Sequence, residues 1–219
     1  MHPIVFDFDG VLFDSAFEAY KVCQLIVTSK KINEIKTNIT YEDFQRHRPS
    51  VADVKDFIPL YFFNSNDIKD KNIFVKEFYL QRKNLSKDLN YVKNYFPPFD
   101  FFTKNIDTIK KFSKDIYILS NRDEESINNV LMYYGLNISH QVFGQKHIQK
   151  YGNKLNIFRK MIKNRASLYL DDLYKYKVMM NEVANISLMV NWGYGEKNLE
   201  SKSEEEITKI FLEIIEKYN

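Results

Sequence analysis

Val5-Phe6-Asp7-Phe8-Asp9-Gly10 places two carboxylates and a glycine at the end of an apolar run that begins at Ile4. A strand buried on both faces delivers polar groups to its C-terminal end in this way. Two further runs close alike, Asp115-Ile116-Tyr117-Ile118-Leu119-Ser120-Asn121 and Ser167-Leu168-Tyr169-Leu170-Asp171-Asp172. A fourth, Ile186 to Val190, opens into Asn191-Trp192-Gly193, and Gln141-Val142-Phe143 predicts another short strand. In open α/β sheets ligands bind outside the carboxyl ends of the strands, so the repeated ending marks one shared site.

Helical patterns separate these runs. Thr103 to Phe112 and Asp123 to Tyr134 flank the second run, the latter reaching Gly135 as a C-cap. Asn153 to Asn164 carries Leu155, Phe158, Met161 and Ile162 at helical spacing. Ser203 to Tyr218 has Ile207, Ile210, Phe211, Ile214 and Ile215 on one face, with Ser203 and Glu206 in a capping-box pattern. Alternating strand and helix predicts an α/β fold, a parallel sheet doubly wound with helices. From Ser15 to about Tyr95 the rhythm changes to helix throughout, over Phe17 to Thr28, Tyr41 to His47, Val51 to Phe57 and Ile73 to Asn84. This predicts a helical domain, residues 15–98, inserted into a core of residues 1–14 plus 99–219, with Phe96-Pro97-Pro98-Phe99 as the return hinge.

Asp7 and Asp9 lie two apart, a spacing that turns both side chains to one side of an extended segment. Adjacent carboxylates repel, so the pair calls for a cation or a shared proton.

The run Asp7-Phe8-Asp9-Gly10-Val11-Leu12-Phe13-Asp14-Ser15 resembles the first motif of the haloacid dehalogenase superfamily in its phosphatase form. Ser120 with Asn121 is similar to the second motif, and Asp171-Asp172 to the fourth in its adjacent-aspartate version. The third motif is a lysine heading a helix. Lys154 fits it best, with Lys146 and Lys150 close by. The insertion falls where the phosphoglycolate phosphatase-like branch carries its helical cap, and Asn191-Trp192-Gly193-Tyr194-Gly195 resembles a loop common in that branch. One departure stands out: Leu173, Tyr174, Lys175 and Tyr176 follow Asp172, where the commonest pattern sets a further acidic residue.

The resemblance implies a Rossmann-like core with an inserted all-helical cap. It further implies a magnesium-dependent phosphomonoester hydrolase acting on a small phosphorylated metabolite through an aspartyl-phosphate. Asp7 would be the nucleophile, and Asp9 the acid and then the base. The Asp7 carboxylate, the Asp9 backbone carbonyl and Asp172 would hold Mg2+, with Asp171 orienting them from behind. Ser120, the Asn121 backbone amide and Lys154 would hold the phosphoryl oxygens. In the cap, Arg46, His47 and Arg48 gather positive charge. They read equally as a solvated helix end or as a contact for an anionic substrate, with Arg48 foremost. A sugar-phosphate mutase would use the same intermediate. A phosphoaspartate signalling domain would use similar residues, but with the acidic pair after the first strand and the phosphoacceptor after a middle one.

Composition narrows the field. With 32 Lys and Arg against 29 Asp and Glu, the net charge is only +3 and no long basic block occurs, which speaks against nucleic acid. No stretch of about 18 apolar residues predicts a membrane span. The start of the chain lacks a signal-peptide pattern, and the single cysteine, Cys23, is read as core in a reducing compartment. The expectation is a cytoplasmic protein with no obligatory protein partner. His2, His47, His140 and His147 show no metal-ligand spacing.

Overall fold

The computed structural model describes residues 3–29, 32, 35–63, 68–163 and 165–217. The chain forms two compact units, Met1–Asp14 with Pro97–Asn219, and Ser15–Phe96. No helix among the described residues is long and apolar enough to cross a membrane.

The first unit is built on a six-stranded parallel sheet of β1 (Ile4–Phe6), β2 (Ile116–Leu119), β3 (Val142–Phe143), β4 (Ala166–Asp171), β5 (Ala184–Val190) and β6 (Ser201–Lys202). The order is β3-β2-β1-β4-β5-β6, so the winding reverses at β1, beside which ligands bind in such sheets. Successive residues of β1 face opposite sides. Phe6 meets Phe101 and Phe211, with ring centroids 5.8 and 6.0 Å away, under the helices Asp100–Lys111 and Glu204–Lys217. Val5 packs on the other face with Leu119, Tyr169, Ile157, Phe158 and Met180. Both faces of the central strand are thus covered, which is why it reads as continuously apolar.

Three local features differ from the expectation. The regular pairing of β1 ends at Phe6, and the chain then turns tightly, with Leu12 N and Phe13 N both donating to Phe8 O. Asp7 and Asp9 therefore do not share an extended segment. The helix expected over 153–164 is a short α-turn, Lys154–Ile157, followed by a π-helical turn, Phe158–Ile162. Apolar spacing sets which side is buried, but it does not encode a bond from Lys163 N to Phe158 O in place of the α-helical one. β6 was not anticipated, because a two-residue polar edge strand has no apolar run to announce it. The end of the last helix expected at Tyr218 lies outside the described residues, as do Asn164 and His2.

The second unit is helical, with Ala16–Thr28, Tyr41–His47, Ile68–Leu85 and Leu89–Tyr95 as its main helices. Val22, Cys23, Ile26, Phe44, Phe57, Tyr61, Phe74 and Phe78 form its core. Burial holds the Cys23 thiol well above its ordinary range, so it stays protonated and inert. Glu18 and Arg82 cross this core as a buried bidentate pair at 2.9 and 2.7 Å, and the guanidinium also lies over the Phe78 ring. Arg82→Ala would take the guanidinium from the buried Glu18 carboxylate, and should lower the unfolding free energy by about 3–5 kcal/mol. Replacing both, Glu18→Leu with Arg82→Met, should recover most of that loss. Urea denaturation followed by circular dichroism measures both. A single variant as stable as the parent would contradict the buried pair.

Candidate active site

Asp7 directly follows β1, and its amide extends the ladder to Leu170 O at 2.9 Å. Phe6 is in register with Leu170, so Asp7 and Asp171, the next residues along, emerge side by side. Asp172 completes a cluster in which three carboxylates each offer an oxygen, all within 4.8 Å of one another. All three residues are buried. Lys154 reaches them from the first position of its helical turn, whose Asn153 cap accepts a hydrogen bond from Asn156 N. The Lys154 ammonium lies 2.7 Å from Asp171 Oδ2 and 3.1 Å from Asp7 Oδ1, and its side chain is 1% exposed. Burial works against that charge, but the Asp171 and Asp7 carboxylates outweigh it and hold the lysine protonated.

The two aspartates at the end of β4 are engaged differently. Asp171 Oδ1 accepts from Leu173 N at 2.9 Å, while Oδ2 accepts from Lys154 and from the Tyr169 hydroxyl. Asp172 Oδ2 accepts from Tyr194 N at 2.7 Å. The loop carrying Tyr194 is tied to the turn after β1, where Trp192 Nε1 donates to Val11 O and the Tyr194 hydroxyl to Asp14. Glycines make this closeness possible. A Cβ on Gly10, which also has φ 85°, would lie 2.3 Å from Asp172 Oδ2, and one on Gly193 would lie 2.3 Å from Asp172 Cβ.

Asp7 carries the site's imbalance. Its Oδ1 accepts no hydrogen bond among the described residues, since the nearby Lys154 ammonium is not aligned to donate one. Burial pushes its carboxyl up to about 8; Lys154 opposes this, and Asp171, Asp172 and Asp9 reinforce it. One ammonium faces three buried carboxylates, and the donors are all oxygens. That set fits a hard divalent cation.

Ser120 is buried one residue beyond β2, its amide on Phe143 O and its hydroxyl 3.4 Å from Arg122 N. The Asn121 side chain turns to the Tyr176 hydroxyl at 2.8 Å. Lys150 instead lies over the Tyr151 ring, and Lys146 N donates to Glu124. Arg48 belongs to the helical unit, where its Nη1 donates to Val51 O at 3.1 Å.

Asp9 stands apart from the carboxylate cluster. Its carboxylate is gripped by Arg122, with Nε 3.0 Å from both oxygens and Nη2 2.7 Å from Oδ1. The cation called for by the Asp7 and Asp9 pair is thus supplied partly by the chain itself. Sequence reasoning missed Arg122. Ser120-Asn121-Arg122-Asp123 looks like an ordinary charged loop, and the only signal was the demand of Asp9 for a counter-charge. Tyr169 and Tyr176 were also missed, because aromatics in a strand and on a short helix read as packing.

No protein-family model and no curated protein matches this sequence. Solved structures do match its fold. A predicted phosphatase from Clostridium acetobutylicum superposes with a TM-score of 0.68 at 16% identity, over 97% of this chain and 98% of that one. A haloacid dehalogenase-like family hydrolase from Streptococcus pneumoniae gives 0.66 at 15% identity, over 96% and 98%. CbbY from Rhodobacter sphaeroides, solved in complex with phosphate, gives 0.64 at 10% identity, over 93% and 92%. The chain has the haloacid dehalogenase-like fold.

Proposed function

We propose that the chain is a magnesium-dependent phosphomonoester hydrolase that passes the phosphoryl group through Asp7. The observation that carries this reading is the buried cluster of Asp7, Asp171 and Asp172, the first two paired with Lys154, where one Asp7 oxygen accepts no hydrogen bond among the described residues. The fold shared with a protein described as a predicted phosphatase, and with CbbY, solved in complex with phosphate, supports it.

In this reading Asp7 attacks phosphorus, forming an acyl phosphate as the ester oxygen departs. Asp9 gives that oxygen its proton, then takes one from the water that cleaves the acyl phosphate. Ser120, the Asn121 amide and Lys154 hold the phosphoryl oxygens, on which charge is spread in the transition state. Asp171, with both oxygens engaged, keeps Lys154 in place. Asp7, Asp172 and the Asp9 carbonyl would hold Mg2+, which would supply positive charge to the same oxygens when bound. The substrate class is a small phosphorylated metabolite, and Arg48 of the helical unit is assigned to a second anionic group on it.

The titration of Asp7 gives a test that does not depend on turnover. Between the ordinary 3.8 and about 8, the folded chain keeps a proton that the unfolded chain has lost. Without divalent ions, this group should therefore make stability fall as pH rises through that window. Magnesium takes the place of the proton, so its stabilisation in thermal denaturation should be larger near pH 8 than near pH 5. Hydrolysis of phosphate esters should stop in a chelator and return with magnesium. Full activity in the chelator, or a magnesium shift equal at the two pH values, would contradict the reading.

Arg48→Ala separates specificity from chemistry. It should weaken kcat/KM for a substrate with a second anionic group by about 1.5–3 kcal/mol, or one to two powers of ten. A small aryl phosphate should be turned over as before. Equal losses on both, or no loss on either, would remove Arg48 from that role.

A further inference from the structure

We propose that Tyr176 is a positioning residue for the phosphoryl site, its ring setting the direction of the Lys154 ammonium. The inference rests on the phosphoryl-transfer reading above. Lysine carries its charge on a flexible four-carbon stem with no fork to fix its direction. In this site two carboxylates draw the ammonium, Asp171 Oδ2 at 2.7 Å and Asp7 Oδ1 at 3.1 Å. Left to them alone, it would settle on the aspartates rather than stay shared with an incoming phosphoryl group.

The Tyr176 ring supplies another hold. Its centroid lies 4.2 Å from Lys154 Nζ, close enough for a cation–π contact in a desolvated place. Lys175 also approaches this ring, at 4.9 Å, but the buried Lys154 is the nearer charge. The Tyr176 hydroxyl is fixed in turn by the Asn121 side-chain amide at 2.8 Å. Asn121 follows Ser120 in the loop whose groups are assigned to the phosphoryl oxygens. One side chain therefore joins the lysine arm of the site to the serine and amide arm. Its own place is set by the chain after Asp171 and Asp172, where Tyr176 N donates to Leu173 O at 3.0 Å and Leu173 N donates to Asp171. The position that follows the two aspartates with an aromatic rather than an acid thus has a function: it faces the lysine.

Such a residue acts on a charge that grows in the transition state, so its removal should appear in kcat more than in KM. The test compares the full-length parent with Tyr176→Phe and Tyr176→Leu, using p-nitrophenyl phosphate with magnesium and thermal denaturation to check folding. Tyr176→Leu should lower kcat by about tenfold or more, with KM changed less than about threefold. Tyr176→Phe keeps the ring over Lys154 and loses only the link to Asn121, so it should retain kcat within about threefold of the parent. If Tyr176→Leu folds poorly, Tyr176→Met, also without a ring, carries the same expectation. A parent kcat in the ringless variant, or losses that follow only the fall in folded fraction, would overturn the proposal. So would equal losses in Tyr176→Phe and Tyr176→Leu. A parent protein that hydrolyses no phosphate ester would sink the phosphoryl-transfer reading, and this inference with it. An active parent with an unaffected ringless variant would sink this inference alone.

Discussion

Three buried carboxylates crowd together with a lysine that pairs with two of them, Asp171 and Asp7, and much of the first unit is arranged around that imbalance. Like charges this close in a poorly solvated place repel strongly unless something opposes them. The parallel register of β1 and β4 brings Asp7 and Asp171 together whatever the side chains prefer. Lys154, the Tyr169 hydroxyl and Leu173 N then engage Asp171, while Tyr194 N engages Asp172. Arg122 pairs with the charge of Asp9 nearby. After these contacts Asp7 still has an oxygen without a hydrogen bond among the described residues.

That arrangement costs stability, and the rest of the unit offsets it by conventional means. Phe6, Phe101 and Phe211 close one face of the sheet in edge-on and tilted ring contacts. Val5, Tyr169 and Phe158 fill the other. Only glycine at positions 10 and 193 lets the two loops close on Asp172. The helical unit has its own aromatic core, held across by Glu18 and Arg82, and its cohesion asks nothing of the carboxylate site.

The parts of this architecture legible in the sequence are those enforced by periodicity and by the exclusion of water. Apolar runs that end in Asp7, Ser120 and Asp171 could belong only to buried strands with polar ends, and the sheet places those ends together. Lys154 could be favoured over its neighbours because it opens the turn before the last aspartate-bearing strand. What stayed hidden depends on side-chain direction. Arg122 looks like one more solvated cation until the fold buries it on Asp9. Tyr176 looks like the apolar side of a short helix until its ring is seen facing Lys154. The tight turn after Phe6, in which Leu12 N and Phe13 N close on Phe8 O and Gly10 N on Phe13 O, is one that a spacing rule for extended chains cannot foresee.

The central claim is that Asp7 itself carries the phosphoryl group. Acid quenching of the protein during turnover of a phosphate ester with magnesium, then peptide mapping by mass spectrometry, tests it directly. The account predicts a phosphoryl group on the peptide containing Asp7, labile to hydroxylamine as an acyl phosphate is, and absent from Asp7→Asn. A phosphoryl group trapped on any other residue, or undiminished trapping in Asp7→Asn, would contradict it.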